Sequence, residues 1–178
     1  MKKIPFLLIL LVVISSCNPK KTWERKSVER KEAGLMEEAK KGKVDTAGIK
    51  DLMNTYESYA KSYPSDTLGA DFLFKEADFY RYMHKPLNTL AIYRQIYNDY
   101  PTFEKRPFAL FLQGFTFEED MGNLDSAKAK YELFLALYPD HPIAHDVKIT
   151  LDNLGKSAEQ LIEGFEEHQH ADSLVQAK

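Results

Sequence analysis

Cysteine is almost missing from this chain: Cys17 is the only one in 178 residues. A lone thiol closes no intramolecular disulfide, so in an oxidising compartment the fold has to be held by its apolar core. An apolar run long enough to cross a bilayer is missing from the amino terminus. The segment Ile4 to Ile14 has eleven residues, whereas a spanning helix needs ~20; behind Lys2 and Lys3 it reads as the core of a signal peptide. Glycine is sparse, and neither a glycine-rich phosphate loop nor a serine elbow is present. A basic footprint is missing from most of the chain. Residues 18–44 carry nine lysines and arginines against five acidic residues, a net of +4, but residues 45–178 carry thirteen against twenty-two, a net of −9. An acidic body excludes nucleic acid as partner, because that binding needs clustered cations to displace counterions. With 44% hydrophobic and 29% charged residues, the chain has the composition of one ordinary globular domain with appendages.

What is present begins directly behind the apolar segment. Ile14-Ser15-Ser16-Cys17 sets a branched apolar residue and two small ones before the cysteine. This resembles the lipobox of bacterial lipoproteins. The resemblance implies that residues 1–16 are a lipoprotein signal peptide, that the Cys17 thiol takes a diacylglyceryl group, and that the membrane is a partner through that lipid. One acyl chain holds a protein marginally and two hold it stably, at ~0.8 kcal/mol per buried methylene. Residues 17–45 then read as anchor plus basic flexible stem with room for fraying helix, given mixed charge, Pro19, Gly34 and Gly42 and few apolar side chains. The stem also has the charge to lie on anionic headgroups, at about 1 kcal/mol per basic residue near the surface, although interrupting acids favour a spacer. Trp23 either dips into such an interface or packs on a neighbour.

From residue 46 the chain repeats itself. "YESYAKSYP" (56–64), "YRQIYNDYP" (93–101) and "YELFLALYP" (131–139) each step from Tyr by three to Tyr59, Ile96 or Phe134, then by four to a Tyr-Pro pair. Steps of three and four put those residues on one helical face, and the proline ends the helix. The Tyr-Pro pairs lie 37 and 38 residues apart, a helix-turn-helix period. Between them lie partner helices over 66–85 and 106–122. Ser65 or Asp66 is expected to cap the first, Pro107 to occupy the first turn of the second, and Gly122 to close it in the left-handed region.

These residues resemble the tetratricopeptide repeat. Leu73, Ala77, Tyr80, Thr89, Tyr93, Ile96 and Pro101 fill the slots of a repeat over 70–103. Leu110, Gly114, Phe117, Ala127, Tyr131, Phe134 and Pro139 fill those of a second over 107–141, with one extra residue near Met121. Glu76, Gln113 and Thr89 depart from the usual slot residues. The expected fold is all-α: an antiparallel helix-hairpin solenoid with two full repeats, flanked by a half repeat over 46–63 and by C-terminal capping helices, seven helices in all. One capping helix starts at Asp140 and ends at Gly155; a shorter one follows a Ser157/Gln160 capping box and runs through Leu161, Ile162 and Phe165. The helical domain is expected over 46–167 and a polar tail over 168–178.

Catalytic chemistry finds little support. His141 and His145 have the i,i+4 spacing of helical metal ligands, with Asp140 or Asp146 as a third, but "HPIAH" places no base between them. His168 and His170 lie in the polar tail. Glu118-Glu119-Asp120 are consecutive and do not face one another on a helix. The reading is no enzyme, no metal and no cofactor. Most of the twenty-two aromatic residues fill repeat slots. By the resemblance, the first helix of each repeat lines a concave surface, which here carries Asp71, Phe74, Asp78, Arg81 and Tyr82, then Phe108, Phe111, Phe115, Glu118 and Glu119. Aromatic anchors with flanking charges suit capture of a peptide or helix of a protein partner; packing under an adjacent helix is the competing role.

The stretch from Tyr56 to Phe165, above all "ALFLQGFTFEEDMGNLDSAKAKYELFLALYP", resembles the helical lipoproteins of outer-membrane β-barrel assembly and the repeat domains of Tol-Pal-associated periplasmic proteins. That resemblance implies an envelope-anchored adaptor on the periplasmic side of the outer membrane, acting in outer-membrane protein assembly or envelope maintenance. A structural or wall-associated lipoprotein, touching peptidoglycan or lipid through its basic stem, is the alternative.

Overall fold

Helices account for every regular element of the computed structural model, which describes residues 18–157, 159, 160 and 162. Residues 1–16, expected as a signal peptide, and Cys17, Leu161, Phe165 and the expected 168–178 tail, with His168 and His170, lie outside the described residues. Among the described residues the helices run in order: α1 (Pro19–Lys40), α2 (Thr46–Ser62), α3 (Thr67–Tyr82), α4 (Pro86–Asp99), α5 (Arg106–Phe115), α6 (Leu124–Leu137) and α7 (Ala144–Asp152), with residues 159, 160 and 162 helical beyond them. A π-helical turn, Thr116–Asp120, extends α5. The chain divides into two units, residues 1–72 and 73–178, with the boundary inside α3.

The first unit holds the largest departure from expectation. Where composition reads as a flexible stem, the chain forms a 22-residue helix. Asn18 starts it, accepting the Lys21 N–H at 3.1 Å, with Pro19 at the first helical position. Acidic and basic residues at i,i+4 spacing, Lys20 with Glu24 and Arg25 with Glu29, support it from outside. Its single fully buried residue, Val28, has too small a voice in any hydrophobic average to announce a packed helix. Polar pairing does the rest: Lys31 reaches Thr55 Oγ1 at 2.7 Å and Asp51 at 2.6 Å, and the Tyr56 hydroxyl donates to Glu32 at 2.6 Å. The α2 segment expected as a half repeat thus has a partner helix, and the helical region starts at Pro19 instead of residue 46. Leu52, Met53, Tyr56, Tyr59 and Ala60 make the buried side of α2. Phe72 stacks on Tyr56 with centroids 5.3 Å apart and meets Tyr59 edge-on at 5.0 Å. Asp66 receives the Tyr59 hydroxyl at 2.6 Å and caps α3 through the Leu68 N–H at 3.2 Å, as expected of it.

The second unit packs its helices in chain order: α4 on α5, α5 on α6, α6 on α7. Its centre is Leu90, Leu110, Phe117, Ala127, Tyr131, Phe134, Ala144 and Val147; fully burying one such large apolar side chain contributes about 1.5–3 kcal/mol. The expected slots are filled as read: Leu73, Ala77, Thr89, Tyr93 and Ile96 in one pair, Leu110, Gly114, Phe117, Ala127, Tyr131 and Phe134 in the next, all buried. The departures Glu76, Gln113 and Thr89 are buried too, and the last two are satisfied locally. Gln113 donates its amide to the carbonyls of Tyr93 and Ala109, both at 3.4 Å, and Thr89 returns its hydroxyl to Lys85. Tyr63, Tyr100 and Tyr138 each stand directly after the last helical residue of α2, α4 and α6, so every Tyr-Pro pair ends a helix.

Three ends refine the expectations. Gly122 is left-handed (φ 61°) and closes the α5 extension as expected, while Gly155 (φ 75°) follows α7. Asp140 does not cap α7, which begins four residues later behind Ile143; the His141 ring nitrogen accepts the Ile143 N–H at 3.3 Å there. Ser157 and Gln160 do form their reciprocal box, at 2.9 and 3.3 Å.

Candidate functional site

The extra residue near Met121 becomes the π turn. An α-helix cannot absorb an insertion without rotating everything after it, whereas one widened turn takes the residue in and lets the helix end where the next loop needs it. Thr116 anchors the turn by donating its hydroxyl to the Leu112 carbonyl at 2.8 Å, and the Asn123 N–H closes back on the Phe117 carbonyl at 2.7 Å. Three carboxylates are set by this turn. Glu118 accepts the Tyr131 hydroxyl at 2.7 Å, Asp120 lies 3.6 Å from the Arg81 guanidinium, and Glu119 is exposed. The Tyr131 hydroxyl is pushed far above the ordinary tyrosine range, by burial first and then by the Glu118 hydrogen bond.

Arg81 joins α3 to this turn. Its guanidinium carbon lies 4.5 Å from the centroid of the Phe115 ring, a cation–π contact of about 0.5–1 kcal/mol at an exposed site. Phe115 continues a row along α5, with Phe111–Phe115 centroids at 6.2 Å and Phe108–Phe111 at 5.7 Å. Spacings of three and four residues produce this row. Beside it, Asp78 on α3 keeps solvent access, yet its carboxyl is held above the ordinary range by the protein around it, against the opposing pull of Arg81. Burial, with Asp78 and Asp120 adding to it, also raises the Tyr93 hydroxyl.

The sequence-derived candidates therefore separate. Arg81, Phe115, Glu118 and Asp78 come together around the π turn, with Phe108 and Phe111 in the adjoining row. Phe74 packs inward, 5.6 Å from Tyr93 and 5.8 Å from Phe103, and Phe111 leans on Tyr131 at 5.7 Å, so both serve the core. Tyr82 stands 85% exposed and Phe108 37%, which leaves them as aromatic groups open to a partner. Asp71 precedes the boundary in α3 and is half-buried in the first unit. Asp120 was not among the groove candidates; the one-residue excess was its signal, since an insertion turns a consecutive acidic run to new directions. Arg106 was missed as well. It ties three helices, donating to the Tyr97 carbonyl at 2.7 Å and the Tyr138 hydroxyl at 2.9 Å and lying 4.2 Å from the Tyr97 ring centroid.

The histidine pair is divided by its surroundings. His141 lies edge-on to Phe134 at 5.6 Å while its Nδ1 accepts a backbone N–H, and His145 is exposed. Among the described residues no three His, Cys, Asp or Glu side chains converge as metal ligands do.

Residues 108–141 match the family model of the tetratricopeptide repeat. No curated protein matches the chain. The matched repeat comprises α5 with its π turn and α6, and its small slot is Gly114, where an added Cβ would lie 2.5 Å from the Tyr131 ring. Such a repeat pairs two helices whose apolar sides are finished by neighbours; α4 and α7 do this for α5 and α6 respectively. Tetratricopeptide repeats commonly bind protein partners, and Phe108, the exposed end of the aromatic row, lies on the first helix of the matched one.

Proposed function

We propose that this protein is an envelope-anchored adaptor: a lipoprotein held by Cys17 on the periplasmic face of the outer membrane, binding other envelope proteins through the α3 and α5 side of its second unit. The observation that carries the reading is the row Phe108–Phe111–Phe115 ending against Arg81 and the carboxylates of the π turn. Aromatic groups give area and anchoring, while a flanking arginine and acids give register. Binding is the chemistry this surface offers. Assembly of outer-membrane proteins or maintenance of the envelope is the kind of process such an adaptor serves.

Two measurements test it. A photo-crosslinking amino acid at Tyr82 or Phe108 is expected to trap one defined envelope protein that Lys128, exposed on α6, does not trap; equal capture from both positions refutes the surface. Cys17→Ala is expected to move the chain from the membrane to the soluble fraction, and unchanged fractionation refutes the anchor.

A further inference from the structure

Trp23 is the only tryptophan of the chain and stands 63% exposed on α1. The buried Val28 marks the side of α1 that packs inward. At ~100° per residue, Trp23, Lys26 and Arg30 fall within ~60° of one another, on the side roughly opposite Val28. Their charges are not neutralised. Neighbouring cations on the same helix have carboxylate partners: Lys20 with Glu24, Arg25 with Glu29, Lys31 with Asp51 and Lys21 with Asp66. Lys26 and Arg30 have none among the described residues, and Arg30 spends its Nε hydrogen bond on the Lys26 carbonyl of its own helix at 3.2 Å. With Glu29 and Ala33, the three line a shallow depression of about 550 Å³.

We propose that this face of α1 lies on an anionic lipid surface, with the Trp23 indole in the headgroup layer and Lys26 and Arg30 on lipid phosphates. A protein partner is the weaker occupant, because Trp23 is the only large apolar group of the face and a protein interface centres on a cluster of them. A headgroup layer asks for what is present: an indole with an apolar body and a polar N–H, beside unneutralised cations. Trp23 is six residues from Cys17, so even a fully extended chain keeps it within about 20 Å of that sulfur. The inference takes the lipid anchor from the proposed function and adds which face of the protein the membrane meets.

The lone tryptophan makes its own test. The full chain is reconstituted into vesicles of phosphatidylcholine alone and of phosphatidylcholine with phosphatidylglycerol. In the anionic vesicles Trp23 emission is expected to shift to the blue and to be quenched by brominated lipid, and both effects are expected to vanish in Lys26→Gln/Arg30→Gln and at high salt, with helix content by circular dichroism unchanged. Solvent-like emission in both vesicles overturns the proposal. So does an equal shift in neutral vesicles that survives the double substitution, or shielding of Trp23 without vesicles that grows with protein concentration, which would assign the face to a second copy. Loss of the anchor is read separately, by fractionation of Cys17→Ala.

Discussion

A methyl group at Gly114 would lie 2.5 Å from Cε1 of the fully buried Tyr131, whereas one at Gly34 in α1 would meet nothing within 4 Å. The two glycines therefore respond to alanine with opposite sign. Gly114→Ala is expected to lower stability by about 1–3 kcal/mol, since the Tyr131 ring has a core behind it and no room to retreat. Gly34→Ala is expected to raise it by about 0.5–1 kcal/mol through helix propensity alone. Urea denaturation followed by circular dichroism reads both. Asp78 gives a pH-dependent case. Its carboxyl is raised in the folded chain by its surroundings, so the ionised form opposes folding; that penalty is complete above the folded pKa, fades as pH falls through it, and is absent below the ordinary value of 3.8. Asp78→Asn is accordingly expected to stabilise the second unit at pH 7, with the advantage disappearing in acid, as measured by urea midpoints across pH. A surface acid kept at such a cost is what a binding role at this position would entail.

Helices α2 to α7 were legible because their signals are local. Tyr-Pro pairs, steps of three and four, and caps such as Asp66 and Gly122 act within a turn or two of the residues that form them. Asp140 misled because a good capping residue still needs the chain after it to turn at once, and His141 took the backbone contact instead. Helix α1 was illegible for a different reason: a helix held by side-chain ion pairs and one valine leaves no apolar stripe to detect. The candidate surface was half legible. Spacing identified the α5 row, but Phe74 and Phe111 could be assigned to the core only once Tyr93, Phe103 and Tyr131 were in place around them. The π turn was visible only as a surplus residue. Deleting Glu119 is expected to let that turn close to α geometry and rotate Asp120 by ~100° away from Arg81. Helix content should be unchanged by circular dichroism while crosslinking through Tyr82 falls.

At the scale of the whole chain, a basic helix and an acidic remainder stand where composition alone read a spacer and a domain. Because α1 is the packing partner of α2, a chain starting at residue 45 is expected to expose the side of α2 that carries Tyr56 and to bind more of a hydrophobic dye than the intact chain. Dye fluorescence at equal concentration checks this, and a spacer would have been dispensable in the same experiment.

The widened turn after α5 has one more implication. A helix that already accommodates a surplus residue has shown where its length is negotiable, with the left-handed Gly122 ready behind it to reset direction. An epitope tag or fluorophore grafted between Met121 and Asn123 would therefore leave the downstream hairpin in register.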